Sequence, residues 1–498
     1  MKKLRFLLLL LCFCLMLPIA ACGKEEPTND IPDDKYFYDD SSREKASDTI
    51  PYGYTLDNQS IGIWYFGVGT EVIGIDDTTD IVYSRIHERN LSVEDRLKVD
   101  LDFQQCNDAH WTDGSATLRQ EIQTMSAAFE AAFAANNQVI QMKLFNYFHN
   151  LNDSEYIDTS EPWWYEDAIM ELSVDNYNYR FLYGDFTITN IGKAGCVYYN
   201  KAIYEQYVSA NKDPDELYDK VLDGTWTLDE FHRLIKKSHI EKGGDGSTDI
   251  YGLAMTYAEW THDMRESAGI RLYARDPNGM INISFNDERS IDFTNKLYAL
   301  FFENEGTVNS LYGGVENKAS FVNSTLLFDM NQLMGALSEE MREMKDDFGI
   351  LPYPKLDEFQ DTYYTLIHNS STSACIPIST DEDRANEEIS AVIEAIGSES
   401  YRSVSVAFYE TALKAAYNRD DQSAQMIDII TGQHNTVKSS LTKNFVYEYA
   451  TSLSAIGSIF HSLMVSGNTN FMSSYDATIG PAEQGLKDLI KLYKDGKI

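Results

Sequence analysis

Ile61-Gly62-Ile63-Trp64-Tyr65-Phe66 is a compact apolar run, and Gly67 and Gly69 follow it. An apolar run of this length that ends at glycines predicts a buried β-strand leading into a loop. The next segment, 80–98, has a helical pattern, and apolar and polar residues then alternate over 99–103. The three segments together predict a strand, helix and strand unit.

The same alternation continues along the chain. Thr227-Leu228-Asp229-Glu230 fits a capping box, which predicts a helix over 228–237. We also predict helices over 115–135, 381–395 and 481–494, and strands over 139–144, 251–255 and 374–378. Strands that alternate with helices favour an α/β fold with a mainly parallel sheet and helices on its faces.

The N-terminus has the layout of an export signal. Lys2, Lys3 and Arg5 precede an apolar run over 6–17, which is shorter than the roughly 20 residues of a membrane-spanning helix. The quartet Ile19-Ala20-Ala21-Cys22 that follows resembles the bacterial lipobox. This resemblance implies a signal peptide over 1–21 and a lipid attached to Cys22.

Residues 22–53 contain many acidic and few apolar side chains, which predicts an acidic, flexible spacer. The rest of the chain is long enough for two or three compact units. The formal net charge of −37 disfavours nucleic acid and anionic lipid headgroups as partners. Cys106, Cys196 and Cys375 are too few for a disulfide framework, and free buried thiols are favoured over a single bridge.

Motifs of catalysis and metal binding are absent from the sequence. It contains no Gly-x-Ser-x-Gly elbow, no His-Glu-x-x-His pair and no phosphate-binding loop. His232 and His239 lie seven residues apart without nearby ligand residues, so we predict no metal and no cofactor. The segment 145–207 is rich in aromatic residues, which favours either a sugar-facing groove or an aromatic core.

Several short motifs resemble, in order, those of the extracellular solute-binding proteins of bacterial sugar importers (family 1). The resemblance covers the chain from about Gln59. The motifs are Phe181-Leu182-Tyr183-Gly184-Asp185, Val197-Tyr198-Tyr199-Asn200-Lys201, 224–231 (GTWTLDEF), Tyr251-Gly252 and 347–354 (DFGILPYP). Pro162-Trp163-Trp164 and the stretch 409–420 resemble a branch common in Gram-positive bacteria.

The resemblance implies a two-lobed, periplasmic-binding-protein-like α/β fold (type II), with central mixed sheets flanked by helices and a cleft between the lobes. The first lobe is expected over 54–185 and 347–400, and the second over 186–346 and 401–498. A carbohydrate would be captured in the cleft and passed to the membrane permease of an ABC importer. The protein would be a non-catalytic, monomeric lipoprotein on the extracellular face of the cell membrane of a Gram-positive bacterium.

Seven residues are predicted to contact the ligand. Trp64 ends the first strand, whose carboxyl end faces the cleft in open α/β sheets. Trp111 and Trp260 lie in polar loops where an indole has no evident core role. The resemblance adds Asp185 at the crossover between lobes, Tyr199 after it, and Phe328 and Tyr409 further along; it assigns Trp226 a structural role at a helix start.

Other functions remain open at this stage. The same fold binds peptides, polyols or other solutes in related proteins, and aromatic enrichment does not exclude them. An exported carbohydrate-active enzyme and a surface adhesion protein are further alternatives.

Overall fold

The structure, a computed structural model, describes residues 43, 45–106, 114–135, 139, 145–209, 213–243, 249–256, 260–310, 320–415, 421–443 and 450–495. Its β-strands, together with its α-helices of at least five residues, follow in chain order. They are β1 (Gln59–Tyr65), α1 (Ile81–Leu97), β2 (Val99–Gln105), α2 (Gly114–Thr124), β3 (Ala131–Ala135), α3 (Glu166–Glu171), α4 (Ile188–Gly192), β4 (Gly195–Asn200), α5 (Glu216–Leu222), α6 (Leu228–Lys237), β5 (Tyr251–Thr256), α7 (Thr261–Ser267), β6 (Tyr273–Arg275), β7 (Ile281–Ile283), α8 (Glu288–Tyr298), β8 (Thr307–Ser310), β9 (Leu326–Gln332), β10 (Phe348–Leu351), β11 (Tyr363–Leu366), β12 (Thr372–Cys375), α9 (Ser390–Glu399), α10 (Ser405–Ala415), α11 (Asp421–Ile430), β13 (Ser439–Thr442), α12 (Ala450–Gly457), α13 (Ile459–Val465) and α14 (Phe471–Asp495).

The first strand, helix and strand form the predicted unit. Asp80 caps α1, because its carboxylate accepts hydrogen bonds from the backbone N–H groups of Val82 (3.0 Å) and Tyr83 (3.3 Å). Lys98 ends the helix in a left-handed conformation with φ of 50°. β1 and β2 then pair in parallel from Gln59, opposite Val99. The prediction of this unit is confirmed.

The first sheet has the strand order β12-β3-β1-β2, with β12 antiparallel to β3. Its strand β3 corrects the predicted helix over 115–135, which ends at Thr124. Met125 (φ 51°) and Ala127 (φ 48°) are left-handed, a conformation that an α-helix does not contain. Every residue of β3 is buried, and a strand covered on both faces lacks the polar alternation that distinguishes strands from helices. The strand predicted over 139–144 lies almost wholly outside the described residues.

The second sheet has the order β10-β4-β9-β5-β8. β5 pairs in parallel with both β8 and β9, whereas β4 is antiparallel to both β9 and β10. β10 pairs with β4 from Phe348, opposite Asn200. We had expected 347–400 in the first lobe, but this pairing places β10 in the second sheet. The other lobe boundaries stay predictions.

Two segments, 182–194 and 367–374, run side by side between the sheets. Leu182 and Ala374 form an antiparallel bridge, and Ala194 and Ile367 form another. Asn190 links the two segments: its amide nitrogen donates to the Gly184 carbonyl (3.0 Å) and its amide oxygen accepts from the Thr372 N–H (3.0 Å). We call these the crossing segments.

A helical connection also runs from one sheet to the other. α9 packs against α1, and the π-helical turn Ser400–Val404 continues it into α10. α10 packs against the helical turn Leu333–Leu337 that follows β9. The prediction of a helix over 381–395 is therefore right in type, although the regular helix begins at Ser390 and ends at Glu399.

The N-terminal segment 45–50 packs against the folded body. The Asp48 side chain is 3% exposed, and its two oxygens accept from the Arg96 guanidinium (both 2.6 Å) and the Ser398 hydroxyl (2.9 Å). Arg402 donates to the Ala46 carbonyl (2.9 Å). We had predicted a flexible spacer as far as residue 53, but these contacts show that order begins earlier.

Two further helices lie where helices were predicted. α6 has the predicted bounds, and its Thr227 hydroxyl accepts from the Glu230 N–H (3.4 Å). The C-terminal helix is longer than predicted and begins at Phe471. Across the described ranges, the helices lack the combination of length and apolar character that crossing a membrane requires.

Candidate functional site

Strand direction determines where the two sheets face each other. Thr372, which lies in one crossing segment, pairs with Ala135 at the carboxyl end of β3. Gly195, which follows the other, pairs with Gln332 at the carboxyl end of β9. Both crossing segments therefore meet the sheets where their parallel strands end. Ligands of open α/β sheets bind at that end, so the crevice along the crossing segments is the candidate site. We call residues 186–194 and 367–371 the crevice floor.

The loop after β1 and the end of β2 form the first sheet's side of the crevice. Gln105 donates its side-chain amide to the Gly67 carbonyl (3.0 Å), and the Cys106 N–H donates to the Tyr65 carbonyl (2.8 Å). Gly67 has a φ of 119°, which L-residues rarely adopt. Trp64 is buried and stacks on Phe129 with ring centroids 5.9 Å apart, so its indole belongs to the core in this structure.

Trp260 lies on the second sheet's side of the crevice. β5 ends at Thr256, and Trp260 directly precedes α7. Its side chain is half-buried and packs against the core. Among the predicted ligand contacts in the described part of the chain, Trp260 alone keeps a partly exposed side chain.

Three half-buried histidines accompany Trp260. The rings of His262 and His461 stack with centroids 6.4 Å apart. Burial, together with Arg265, His461 and His368, lowers the pKa of His262 to about 3. His368 shares a hydrogen bond of 2.8 Å with the Ser370 hydroxyl; burial, Lys443 and Lys193 lower its pKa to about 4. His262 and His368 are therefore neutral near pH 7. The Nδ1 atom of His368 is engaged with Ser370, because it also accepts a hydrogen bond from the Ser370 backbone N–H (3.2 Å).

Two lysines lie at the crevice floor. Lys443 is fully buried and donates to the carbonyls of Ile367 (2.8 Å) and His368 (3.2 Å) and to the Ser371 hydroxyl (3.1 Å). Lys193 is half-buried, and its carbonyl accepts from the His368 N–H (3.1 Å). Burial lowers the pKa of Lys193, while the carboxylate of Glu71 partly restores it. The floor thus carries ammonium groups among neutral hydrogen-bonding groups.

Asp185 joins a crossing segment to α10. One carboxylate oxygen accepts from the Tyr165 hydroxyl (2.7 Å) and the other from the Ser405 hydroxyl (2.6 Å). Burial raises the pKa of Asp185, although these hydrogen bonds and Arg43 oppose the shift. Asp185 is fully buried, so the structure gives it a role in holding the crossing segment.

The remaining predicted contacts have packing roles in the structure. Tyr199 is fully buried, and its hydroxyl donates to the Pro214 carbonyl (3.3 Å). Phe328 is fully buried against Trp226, and Tyr409 is buried beneath the Arg43 guanidinium, 5.6 Å from the ring centroid. Trp111 lies outside the described residues. Ligand contact by these residues stays a prediction, as it does for Trp64 and Asp185.

The ligand contacts predicted from the sequence did not include Lys193, His262, His368 or His461. The histidines are dispersed in sequence and come together only because α7, α13 and a crossing segment converge. A signal for His262 was present, since it lies two residues after Trp260 in the same loop. Within the described ranges, no three His, Cys, Asp or Glu side chains are grouped as ligands for a metal ion.

A separate surface cavity of about 540 Å³ lies beside β13 rather than at the strand ends. Its lining includes Glu171 and Arg271, which form an ion pair of 2.5 Å. Burial raises the pKa of Glu171 to about 8 against the opposing effect of Arg271. We place the candidate site in the crevice rather than in this cavity, because ligands of open α/β sheets bind at the carboxyl ends of the parallel strands.

Comparison with known proteins gives structural neighbours only. No family model matches the chain, and no curated protein matches its sequence. The sugar-binding protein MalE from Xanthomonas citri superposes with a TM-score of 0.58 at 12% identity, covering 87% of this chain and 99% of that one. The cyclic α-maltosyl-1,6-maltose binding protein from Arthrobacter globiformis gives 0.55 at 12% identity, over 86% of this chain and 99% of that one.

A family 1 extracellular solute-binding protein from Bifidobacterium longum subsp. infantis gives a TM-score of 0.51 at 11% identity and covers 88% of this chain and 100% of that one. All three neighbours are binding proteins. At these identities the likeness establishes the fold. The mixed sheets, the crossing segments and the neighbours together show that this chain has the two-lobed α/β fold of the family 1 extracellular solute-binding proteins.

Proposed function

We propose that this protein is the substrate-binding component of an ABC importer and that it captures a carbohydrate in the crevice between its two sheets. The observation that carries the proposal is the half-buried Trp260, which follows β5 in the chain and directly precedes the helix α7 that contains His262. A flat indole covers the C–H face of a sugar ring at low entropic cost, while neutral imidazoles exchange hydrogen bonds with its hydroxyls.

Three structural neighbours support a sugar rather than another solute. The proteins from Xanthomonas citri and Arthrobacter globiformis are sugar-binding, and a neighbour from Thermotoga lettingae (TM-score 0.50) holds α-D-tagatose. These ligands belong to those proteins, so they suggest the class of solute and not its identity.

The mechanism follows from the connections between the sheets. A sugar that first contacts one side of the crevice gains further contacts when the other side approaches, so the closed form binds it more tightly. Closure is driven only by this difference in affinity. An affinity near micromolar, about 8 kcal/mol, is sufficient for capture and release.

The experiment is a titration of the full chain in detergent with neutral oligosaccharides, followed by tryptophan emission and calorimetry. Trp260→Ala is expected to weaken binding about tenfold or more, because truncating a tryptophan that anchors a ligand costs about 2 kcal/mol or more. Trp226→Phe is the matched control, since Trp226 is buried and donates to the Pro352 carbonyl (2.8 Å).

Absence of a response to every oligosaccharide in a broad neutral and acidic panel would reject a carbohydrate ligand. Equal affinities of the Trp260→Ala variant and the wild type would show that the ligand does not stack on Trp260. Cleavage products in the same incubations would favour an exported carbohydrate-active enzyme.

We further propose that a lipid on Cys22 anchors the protein to the outer face of the cell membrane, where it delivers its ligand to a permease. The lipobox-like quartet 19–22 supports this location. Cys22→Ser is expected to release the protein from the membrane fraction and to abolish incorporation of labelled palmitate. Membrane retention of this variant without label would contradict a lipid anchor.

A further inference from the structure

The N-terminal segment of the folded body contains two buried charged residues. Arg43 is 6% exposed, and the Asp48 side chain is 3% exposed. The Ala46 N–H donates to the Arg43 carbonyl (3.0 Å), so both charges belong to one ordered stretch. We call residues 43 and 45–50 the strap. Chain ends usually fray unless specific contacts hold them, and buried charges need partners, so the partners of the strap indicate what it does.

Asp48 attaches one end of the strap to the first sheet's side. Its carboxylate accepts two hydrogen bonds from the guanidinium of Arg96, both of 2.6 Å, and Arg96 lies in α1, which connects β1 and β2. The Ser398 hydroxyl of α9 donates to the same carboxylate (2.9 Å). Paired hydrogen bonds between a guanidinium and a carboxylate fix the geometry as well as the charge. This end of the strap is therefore held by α1 and α9.

Arg43 attaches the other end on the second sheet's side. Its guanidinium carbon lies 4.3 Å from the ring centroid of Tyr401 and 5.6 Å from that of Tyr409, which belongs to α10. The guanidinium also donates to the side-chain oxygen of Gln433, which lies shortly after α11. α11 packs against β10, a strand of the second sheet. Arg43 is thus held both by aromatic rings at its face and by a hydrogen bond at its edge.

Between these two ends, the strap lies against the π-helical turn Ser400–Val404, which joins α9 to α10. Arg402 of this turn donates to the Ala46 carbonyl (2.9 Å), and its guanidinium lies 3.5 Å from the Asp48 carboxylate. Helices kink at π-helical turns, and such turns are frequent at functional positions. The strap therefore spans the point at which the connection between the two sheets can bend.

We propose that the strap restrains the hinge: it holds α1 through Asp48 and the residues after α11 through Arg43, and so limits how far the two sheets separate in the ligand-free protein. The inference rests on the proposed function for its consequence, which is tighter capture of the ligand. Apparent affinity falls in proportion to the fraction of molecules that are competent to bind, and a restrained hinge keeps that fraction high. The contacts described above lie outside the crevice floor, so the strap acts on binding through the hinge.

The first test needs no ligand. Hydrogen exchange of the full chain in detergent is followed by mass spectrometry in Arg43→Ala and Gln433→Ala, which remove the two partners of one contact. In each variant the amides of 398–405 are expected to exchange about threefold or more faster than in the wild type, while the amides of β1 and β9 keep their wild-type rates. Confinement of the change to the connection separates a released hinge from a general loss of stability.

The matched control is Lys45→Ala. Lys45 lies in the strap with an exposed side chain, and this substitution removes one positive charge, as Arg43→Ala does. It is expected to leave exchange at 398–405 unchanged. Arg43→Lys keeps the charge but loses the planar guanidinium, so it is expected to resemble Arg43→Ala.

The second test connects the strap to ligand capture. Without ligand, Arg43→Ala and Gln433→Ala are expected to show a larger radius of gyration in small-angle scattering than the wild type, because the sheets separate further. The binding probe is the neutral oligosaccharide that the wild type binds most tightly, with maltotriose tried first. Calorimetry is expected to show that both variants bind it about threefold or more weakly than the wild type and Lys45→Ala.

The outcomes separate this inference from the proposed function. Wild-type exchange at 398–405 and a wild-type radius of gyration in both variants would overturn the restraint. An equal effect of Lys45→Ala would assign the change to net charge and overturn the role of the Arg43 contact. A released hinge with unchanged affinity would overturn the consequence for capture. If no oligosaccharide binds the wild type, the proposed function fails, while exchange and scattering still decide whether the strap restrains the hinge.

Discussion

Single buried side chains hold the connections between the two sheets. Glu394 in α9 is fully buried, and the indole N–H of Trp164 donates to its carboxyl group (2.8 Å). Burial raises the pKa of Glu394 to about 8 against the opposing hydrogen bond from Trp164. An acid in this environment is protonated in the native state at pH values where it is ionised in the unfolded chain.

The consequence for stability is a dependence on pH with a defined sign. Because burial raises the native pKa of Glu394 above 4.5, the protonated carboxyl contributes its full stability to the folded state below pH 4.5. This stabilisation is lost as the pH rises from 4.5 toward about 8. Glu394→Gln is expected to remove this pH dependence. As the pH rises over this range, the free energy of unfolding of the variant should therefore increase relative to that of the wild type, by up to about 1.4 kcal/mol per pH unit. Urea denaturation of both proteins at several pH values measures the difference, and the exposed Glu382→Gln is the control. A difference independent of pH would show that Glu394 is ionised in the native protein.

Strand β10 depends on a glycine for its place in the second sheet. A Cβ at Gly349 would lie 2.1 Å from a Tyr199 ring carbon and 2.6 Å from the Tyr218 hydroxyl. Gly349→Ala is therefore expected to lower the free energy of unfolding by about 1–3 kcal/mol or more, since the Tyr199 ring is buried. In Gly480→Ala, within α14, the added Cβ meets nothing within 4 Å, and a gain of about 0.5–1 kcal/mol is expected. Equal melting temperatures of the two variants would contradict the placement of β10 against β4.

The N-terminal segment acts as an element of the fold through Asp48. Arg96 and Arg402, together with hydrogen bonds from Ser398, hold the pKa of this carboxyl below its ordinary value although burial alone would raise it. Asp48→Asn is expected to cost about 1–3 kcal/mol, because Arg96 loses its charged partner. The loss is expected at neutral pH and to shrink as pH falls through the native pKa, where the wild-type carboxyl is also protonated. Thermal unfolding of the wild type and the variant at two pH values measures this loss of stability. The control is Asp383→Asn, at an exposed position. A loss of stability that does not shrink at low pH would show that the effect comes from packing and not from the charge of Asp48.

At the scale of the whole molecule, the two crossing segments and the α9–α10 connection are the hinge on which the proposed mechanism depends. A saturating ligand is expected to reduce the radius of gyration in small-angle scattering. It is also expected to stabilise the protein by about 2.7 kcal/mol at a concentration one hundred times Kd. Stabilisation without any change in the radius of gyration would indicate a preformed site and exclude hinge closure as the signal to a permease.

The sequence by itself determined what depends on near neighbours along the chain. The β1-α1-β2 unit and the capping box of α6 were readable because caps, turns and periodicity act over a few residues. The structural role of Trp226 was implied by the family resemblance. Only the tertiary structure decided that β3 is a strand, that β10 joins the second sheet, and that most of the aromatic residues chosen as ligand contacts lie in the core. It also brought Lys193, His262, His368 and His461 together. Burial and the convergence of distant segments depend on which surfaces pack against each other, and that information is absent from any short stretch of sequence.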